Sequence, residues 1–199
     1  MAGKSLRRLQ FECENMPEHD LTDEEVTRYG KQMMVGVGVE GQRSLRQAKV
    51  LVVGVGAAGS AVLLQLSAAG VGELGLVDPS EFSDTNPAKE PVFAGTKPGT
   101  KKINSAKETL MDLNPLVTVN LYPVSIQDLD HATILPQYSI LVCCTDDTLS
   151  RYRINDLAVT YKKPLVMTCA LKTEGHCFLL NHEGGACYRC LFPTPPGII

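Results

Sequence analysis

Residues 49–78 read KVLVVGVGAAGSAVLLQLSAAGVGELGLVD, and this stretch decides the fold. Lys49–Gly54 is a continuous apolar run closed by glycine, the mark of a parallel strand buried on both faces. A helix rich in small residues, Ala57–Ala69, follows, and a second strand, Glu73–Val77, ends at Asp78. Between strand and helix lies Gly54-Val55-Gly56-Ala57-Ala58-Gly59, a GxGxxG loop. The first glycine permits the tight turn, the second lets phosphate approach the backbone, and the third lets helix and strand pack closely. Phosphate can then sit at the helix N-terminus, where the N–H groups are free and the dipole is positive. Asp78 stands 24 residues after Gly54, where a carboxylate can accept hydrogen bonds from a ribose. The alternative is that the glycines serve only tight packing. The motif by itself favours NAD over ATP, so an NAD-dependent oxidoreductase stays open.

Working outward, the same alternation continues. Upstream, Thr22-Asp23-Glu24-Glu25 reads as a capping box opening a helix through Val26, Tyr29 and Met33 that stops near Gly36 and Gly38. A short helix is expected around Glu40–Ala48. Downstream, residues 79–100 hold four prolines and read as a long loop. A helix near Thr100–Leu113, a strand at Val117–Leu121, a buried strand at Ser139–Cys143, a helix over Leu149–Tyr161 and a strand at Pro164–Thr168 follow. Residues 175–182 suit one more strand, and the proline-rich tail after Phe192 cannot be regular. Strands alternating with helices predict an α/β fold, a Rossmann-like, mostly parallel sheet with helices on both faces. Residues 1–20 read as a flexible arm, and 21–199 as one domain.

Composition narrows the function. The 199 residues carry 19 basic and 22 acidic side chains, a net charge of −3. That argues against a general nucleic-acid binder, which needs a clustered cationic surface. No apolar run approaches the roughly 18 residues of a membrane span. The N-terminus has no apolar core of a secretory signal. Seven cysteines without such a signal point to a reducing, cytoplasmic setting, where Cys pairs bind metal or act chemically.

Further pieces recur along the chain. Arg28-Tyr29 and Gln32 share the first helix; Ala69-Gly70-Val71-Gly72 precedes the second strand; Asn86 follows Asp78 by eight residues. Gly99-Thr100-Lys101-Lys102 opens a helix, Cys144-Thr145-Asp146 ends a strand, and Arg151-Tyr152 and Asn155-Asp156 follow. Cys187-Tyr188-Arg189-Cys190-Leu191-Phe192-Pro193 comes last. Together these resemble the ubiquitin-activating-enzyme superfamily, in its ThiF/MoeB-type adenylyltransferase (sulfurylase) branch. The resemblance covers about residues 21–196.

It implies ATP-dependent adenylation of the C-terminal glycine of a ubiquitin-like or sulfur-carrier protein ending in Gly-Gly. It also implies a homodimer, or a heterodimer with a related subunit. By matched position, Gly54, Gly56, Ala57, Ala58 and Gly59 hold phosphate, Asp78 the ribose, and Asn86 lies near the phosphates. Lys102 contacts the transferring phosphoryl group, and Asp146 holds Mg²⁺. Each has a plainer alternative: Lys102 a solvated lysine, Asp146 a helix cap, Asn86 a turn residue.

The chain departs from the family pattern in places. Lys31 stands where the first helix carries a second Arg, and Lys89 where an Arg follows Asn86; Glu90 replaces Gln. Lysine keeps the charge but loses the guanidinium fork that fits phosphate. Ser80 replaces an acid and Asp147 an Asn. These changes suit a slower enzyme, or a degenerate, non-catalytic partner subunit. Cys187 and Cys190 have zinc-knuckle spacing, and zinc wants four ligands. In the family a second CxxC completes the site, and none is present before Ile199, so the chain reads as truncated before it. His176 and His182 are alternative ligands. Cys143, Cys144 and Cys169 read as packing residues.

Overall fold

A computed structural model describes residues 20–83, 90, 93, 96–171 and 173–195. The chain divides into two compact units, Met1–Gln47 and Ala48–Ile199.

In the first unit, helix α1 spans Asp23–Gln32. The capping box is realised: Glu25 N–H donates to Thr22 Oγ1 at 3.2 Å, and Thr22 N–H donates to Glu25 Oε2 at 2.7 Å. The regular helix ends before the two glycines expected to stop it, and both leave helical backbone. After the wide turn Met33–Val37 the chain kinks at Gly36, at φ 159° and ψ −22°, and at Gly38, at φ 67°, before α2, Gly38–Gln47. Arg43 and Arg46 both bind Asp20. The hydrogen bond from Arg43, then that from Arg46, holds the Asp20 carboxyl down at about 2.

The second unit is built on a sheet in the order β3-β2-β1-β4-β5-β6. The strands are β1 (Lys49–Val53), β2 (Glu73–Val77), β3 (Thr118–Tyr122), β4 (Ile140–Cys143), β5 (Leu165–Leu171) and β6 (Glu174–Leu180). All neighbours pair parallel except β5 and β6, an antiparallel hairpin. β1 and β2 are buried along all but their first residue, as strands covered on both faces must be. β3 and β6 are the edges, and Glu174, His176 and Cys177 on β6 are exposed.

The crossover helices are α3 (Ala57–Ala69), α4 (Lys102–Leu113) and α6 (Thr148–Thr160), with short α5 (His131–Ile134) and α7 (Tyr188–Leu191). α5 and the 3₁₀ turn Leu135–Gln137 after it were not expected. They seat Tyr138 in the core, its hydroxyl 3.0 Å from that of Tyr122. A Cβ on Gly75 would come within 2.4 Å of the Tyr138 hydroxyl oxygen, so β2 must carry glycine there. The strand order reverses between β1 and β4, which makes the carboxyl ends of those strands the place for a ligand.

Candidate nucleotide site

Three local events shape the end of β1. Gly54 adopts φ +92°, and a Cβ there would lie 2.8 Å from Thr145 N, so only glycine fits where β1 and the end of β4 approach. The Val55 N–H donates to Asp78 Oδ2 and the Ser80 N–H to Asp78 Oδ1, both at 2.7 Å. Gly56 then caps α3 with no side chain on the first-turn N–H groups, which stay available to an anion. Gly54 therefore does the turn job that the sequence motif assigns to the first glycine, and Gly56 leaves the helix start open.

Asp78 proves to be a brace as well as a candidate ligand. It is buried, at 7% exposure, and fixes the loop on both sides of the strand ends. Each carboxylate oxygen has a further lone pair for a ribose hydroxyl. Replacing Asp78 with Ala strips two backbone N–H groups of their acceptor. The expected cost is about 2 kcal/mol, read as a lower urea midpoint at unchanged slope. An unaltered midpoint would show that the brace carries no weight.

Beside the loop a crevice of about 290 Å³ opens over the carboxyl ends of β1, β2 and β4. Asp78, Ser80, Gln127, Thr145, Asp147 and Ser150 line its polar side, and Val53, Val77, Val124 and Ile126 its apolar side. This is the mix of apolar wall and few convergent polar groups expected of a small-molecule site.

Lys102 is not solvated. It opens α4, is only 9% exposed, and its Nζ lies 3.1 Å and 3.0 Å from the two carboxylate oxygens of Glu90. Phe93 lies under the ammonium, 5.6 Å to the ring centroid. Glu90 Oε1 lies 3.8 Å from where a Cβ on Gly56 would be, which brings Lys102, Glu90 and the glycine loop together. Glu90 is the site residue that sequence reasoning missed; its one signal was the acid standing where the resemblance wants an amide.

The two aspartates after β4 divide their work. Asp147, not Asp146, caps α6: its Oδ2 accepts the Ser150 N–H at 2.8 Å, and hydrogen bonding from the Ser150 side chain, then from its backbone, lowers its carboxyl pKa. Asp146 is 99% exposed, with Arg151 3.7 Å away as its ion-pair partner. An accessible carboxylate is the kind of ligand Mg²⁺ takes, since the ion keeps several waters and binds through one or two carboxylates and substrate phosphates. Asn86 and Lys89 lie outside the described residues. Lys31 is an exposed residue in the last turn of α1, in the first unit.

The cysteines sort by burial. Burial pushes the Cys143 thiol up to about 12 and also raises that of Cys144, as packing residues require. Cys187 and Cys190 bring their sulfurs to 3.6 Å at α7. Burial pushes the Cys187 thiol up, but hydrogen bonds from Cys190 and the Arg189 backbone outweigh it and hold it below its ordinary value. Two adjacent sulfurs fit half of a tetrahedral zinc site. Among the described residues no third His, Cys, Asp or Glu joins them, so His176 and His182 do not complete the set.

The Cys187–Phe192 segment is seated on α6. Asn155 accepts the Tyr188 N–H at 2.7 Å, Arg189 grips Asp156 at 2.6 Å and 2.8 Å, and the Tyr152 hydroxyl donates to the carbonyls of Phe192 and Thr194. Three motifs that the sequence lists separately thus form one joint. No helix of the described residues is long and apolar enough to cross a membrane.

The chain is similar to known proteins in sequence and in fold. The ThiF family model covers residues 29–197. "Adenylyltransferase and sulfurtransferase MOCS3" of Culex quinquefasciatus is 41% identical over 177 residues, 88% of this chain and 40% of that protein. "Adenylyltransferase and sulfurtransferase UBA4" of Eremothecium gossypii is 39% identical over 196 residues, 97% of this chain and 44% of that protein. The chain therefore spans about two fifths of the length of these relatives. Among solved structures, E. coli MccB aligns with TM-score 0.76 and 22% identity, over 98% of this chain and 56% of that one, which fixes the fold.

Proposed function

Because the chain belongs to the ThiF family, we propose that it uses ATP to adenylate the C-terminal glycine of a ubiquitin-like or sulfur-carrier protein. The observation that carries this reading is the uncapped start of α3, linked through Glu90 to the buried Lys102, with a crevice that Gly54 and Asp78 line at the carboxyl ends of the strands. The carrier's carboxylate attacks the α-phosphorus, a P–O bond forms, and pyrophosphate leaves with the electron pair of the broken bond. The first-turn N–H groups of α3 and the Lys102 ammonium draw the phosphates into place and offset their charge. Asp78 positions the ribose, and Asp146 would hold Mg²⁺, which supplies positive charge where the reaction builds negative charge. Zinc, held by Cys187 and Cys190 with two further ligands, would be structural. Pairing with a second copy or a related subunit belongs to the same reading.

The test is ATP–pyrophosphate exchange with β-grasp proteins that end in Gly-Gly. Exchange that needs the Gly-Gly end is the expected result; exchange without any carrier would contradict it. A second reading, a non-catalytic partner subunit, is favoured by one observation: Lys102 is already neutralised by Glu90. ATP binding with no exchange under any carrier would select it.

A further inference from the structure

We propose that Glu90 is a built-in stand-in for phosphate. Its carboxylate holds Lys102, and a polyphosphate enters by taking that lysine from it. The proposal rests on the crevice being a nucleotide site and names how that site is gated.

Three observations carry it. First, the carboxylate occupies the ground a phosphate would need. It is bonded to Lys102 and stands beside Gly56, the uncapped start of α3. Second, it is poorly satisfied there. Glu90 is 6% exposed, and among the described residues its Oε2 accepts no hydrogen bond and has only the ion-pair contact with Lys102 Nζ at 3.0 Å. A buried carboxylate oxygen left in that state is costly, and a group with more oxygens and a reach to the α3 N–H groups would serve the lysine better. Third, Phe93 flanks the ammonium, so the lysine has little water to turn to and must have an anion.

A carboxylate and a phosphate cannot share this space, because like charges in contact repel strongly with so little water between them. Entry is therefore an exchange of anions at Lys102. Phosphate binding is penalised by the displacement, whereas adenosine, which brings no competing charge, is not. Glu90 so acts on the polyphosphate part of the ligand alone. It is a positioning residue and takes no part in bond making.

The test is calorimetric titration of the full chain, wild type and Glu90→Gln, with ATP, inorganic triphosphate and adenosine. Glu90→Gln keeps the side-chain size and removes the charge. ATP and triphosphate are expected to bind about tenfold tighter or more, the scale of a like-charge contact removed from an interface, with adenosine unchanged. Equal ATP affinity in the two proteins overturns the proposal. So does an equal gain for adenosine, which would mean that Glu90 merely shapes the crevice. If adenosine and ATP bind neither protein, the nucleotide reading fails. Melting curves then still judge the carboxylate, since triphosphate should raise the melting temperature of Glu90→Gln more than that of wild type. Where Glu90→Gln does not fold, Glu90→Asp retracts the carboxylate by one methylene. A gain in triphosphate affinity there supports the exchange, and no change refutes it.

Discussion

Gly59→Ala is expected to lower the melting temperature by about 10 °C. A Cβ at Gly59 would sit 2.0 Å from the carbonyl oxygen of Gly54 and 3.0 Å from its carbonyl carbon. Both atoms are backbone, so no flexible side chain can move aside. Gly54 is itself pinned, by its donated bond to Val77 O at 2.9 Å and by its close approach to Thr145. The helix must slide off the strand, which costs about 3 kcal/mol. For a chain of this size each kcal/mol is worth about 2–4 °C. Circular dichroism melts of the two proteins decide the matter. A variant melting within about 2 °C of wild type would refute the close helix–strand packing. Because the same contact aims the α3 N–H groups, ATP binding should fall as well.

The second large effect belongs to Lys102→Ala, which should cut ATP–pyrophosphate exchange by about 10²–10³-fold, the usual cost of removing one group that stabilises developing charge. Stability should also drop, by about 3 kcal/mol, because Glu90 is left as a buried charge without its partner. These losses separate in the double variant Lys102→Met with Glu90→Gln, which removes both charges. Most of the stability should return there and the exchange should not. Exchange above about a tenth of wild type in Lys102→Ala would remove Lys102 from the chemistry.

The β1–loop–α3–β2 unit was legible because every level of the sequence agrees there. The apolar run, the glycine spacing, the small-residue helix and the terminal Asp78 all point one way. The strand and helix bounds came out within a residue or so, as at Ala57–Ala69 and Glu73–Val77. The Glu90–Lys102 pair was not legible, because it joins a proline-rich loop without periodicity to a helix start 12 residues away. The grip of Arg189 on Asp156 spans 33 residues, a distance at which spacing carries no information. The break after the first helix was legible, because Gly36 and Gly38 take backbone angles that end helices, as the sequence expects. Asp146 and Asp147 are chemically equal in the sequence; only the cap geometry of α6 tells them apart.

Helix α6 also works as a ruler. Its N-cap, Asp147, and its residue Ser150 face the crevice, while Asn155 and Asp156 seat the paired thiols of α7. A helix rises 1.5 Å and turns about 100° per residue. The separation and the relative bearing of nucleotide crevice and thiol pair are therefore set by a count of residues. One residue added between Ser150 and Asn155 would swing the seat of the thiols by more than a quarter turn while lengthening the gap by only about 1.5 Å. In this stretch of the chain, length is a bearing before it is a distance.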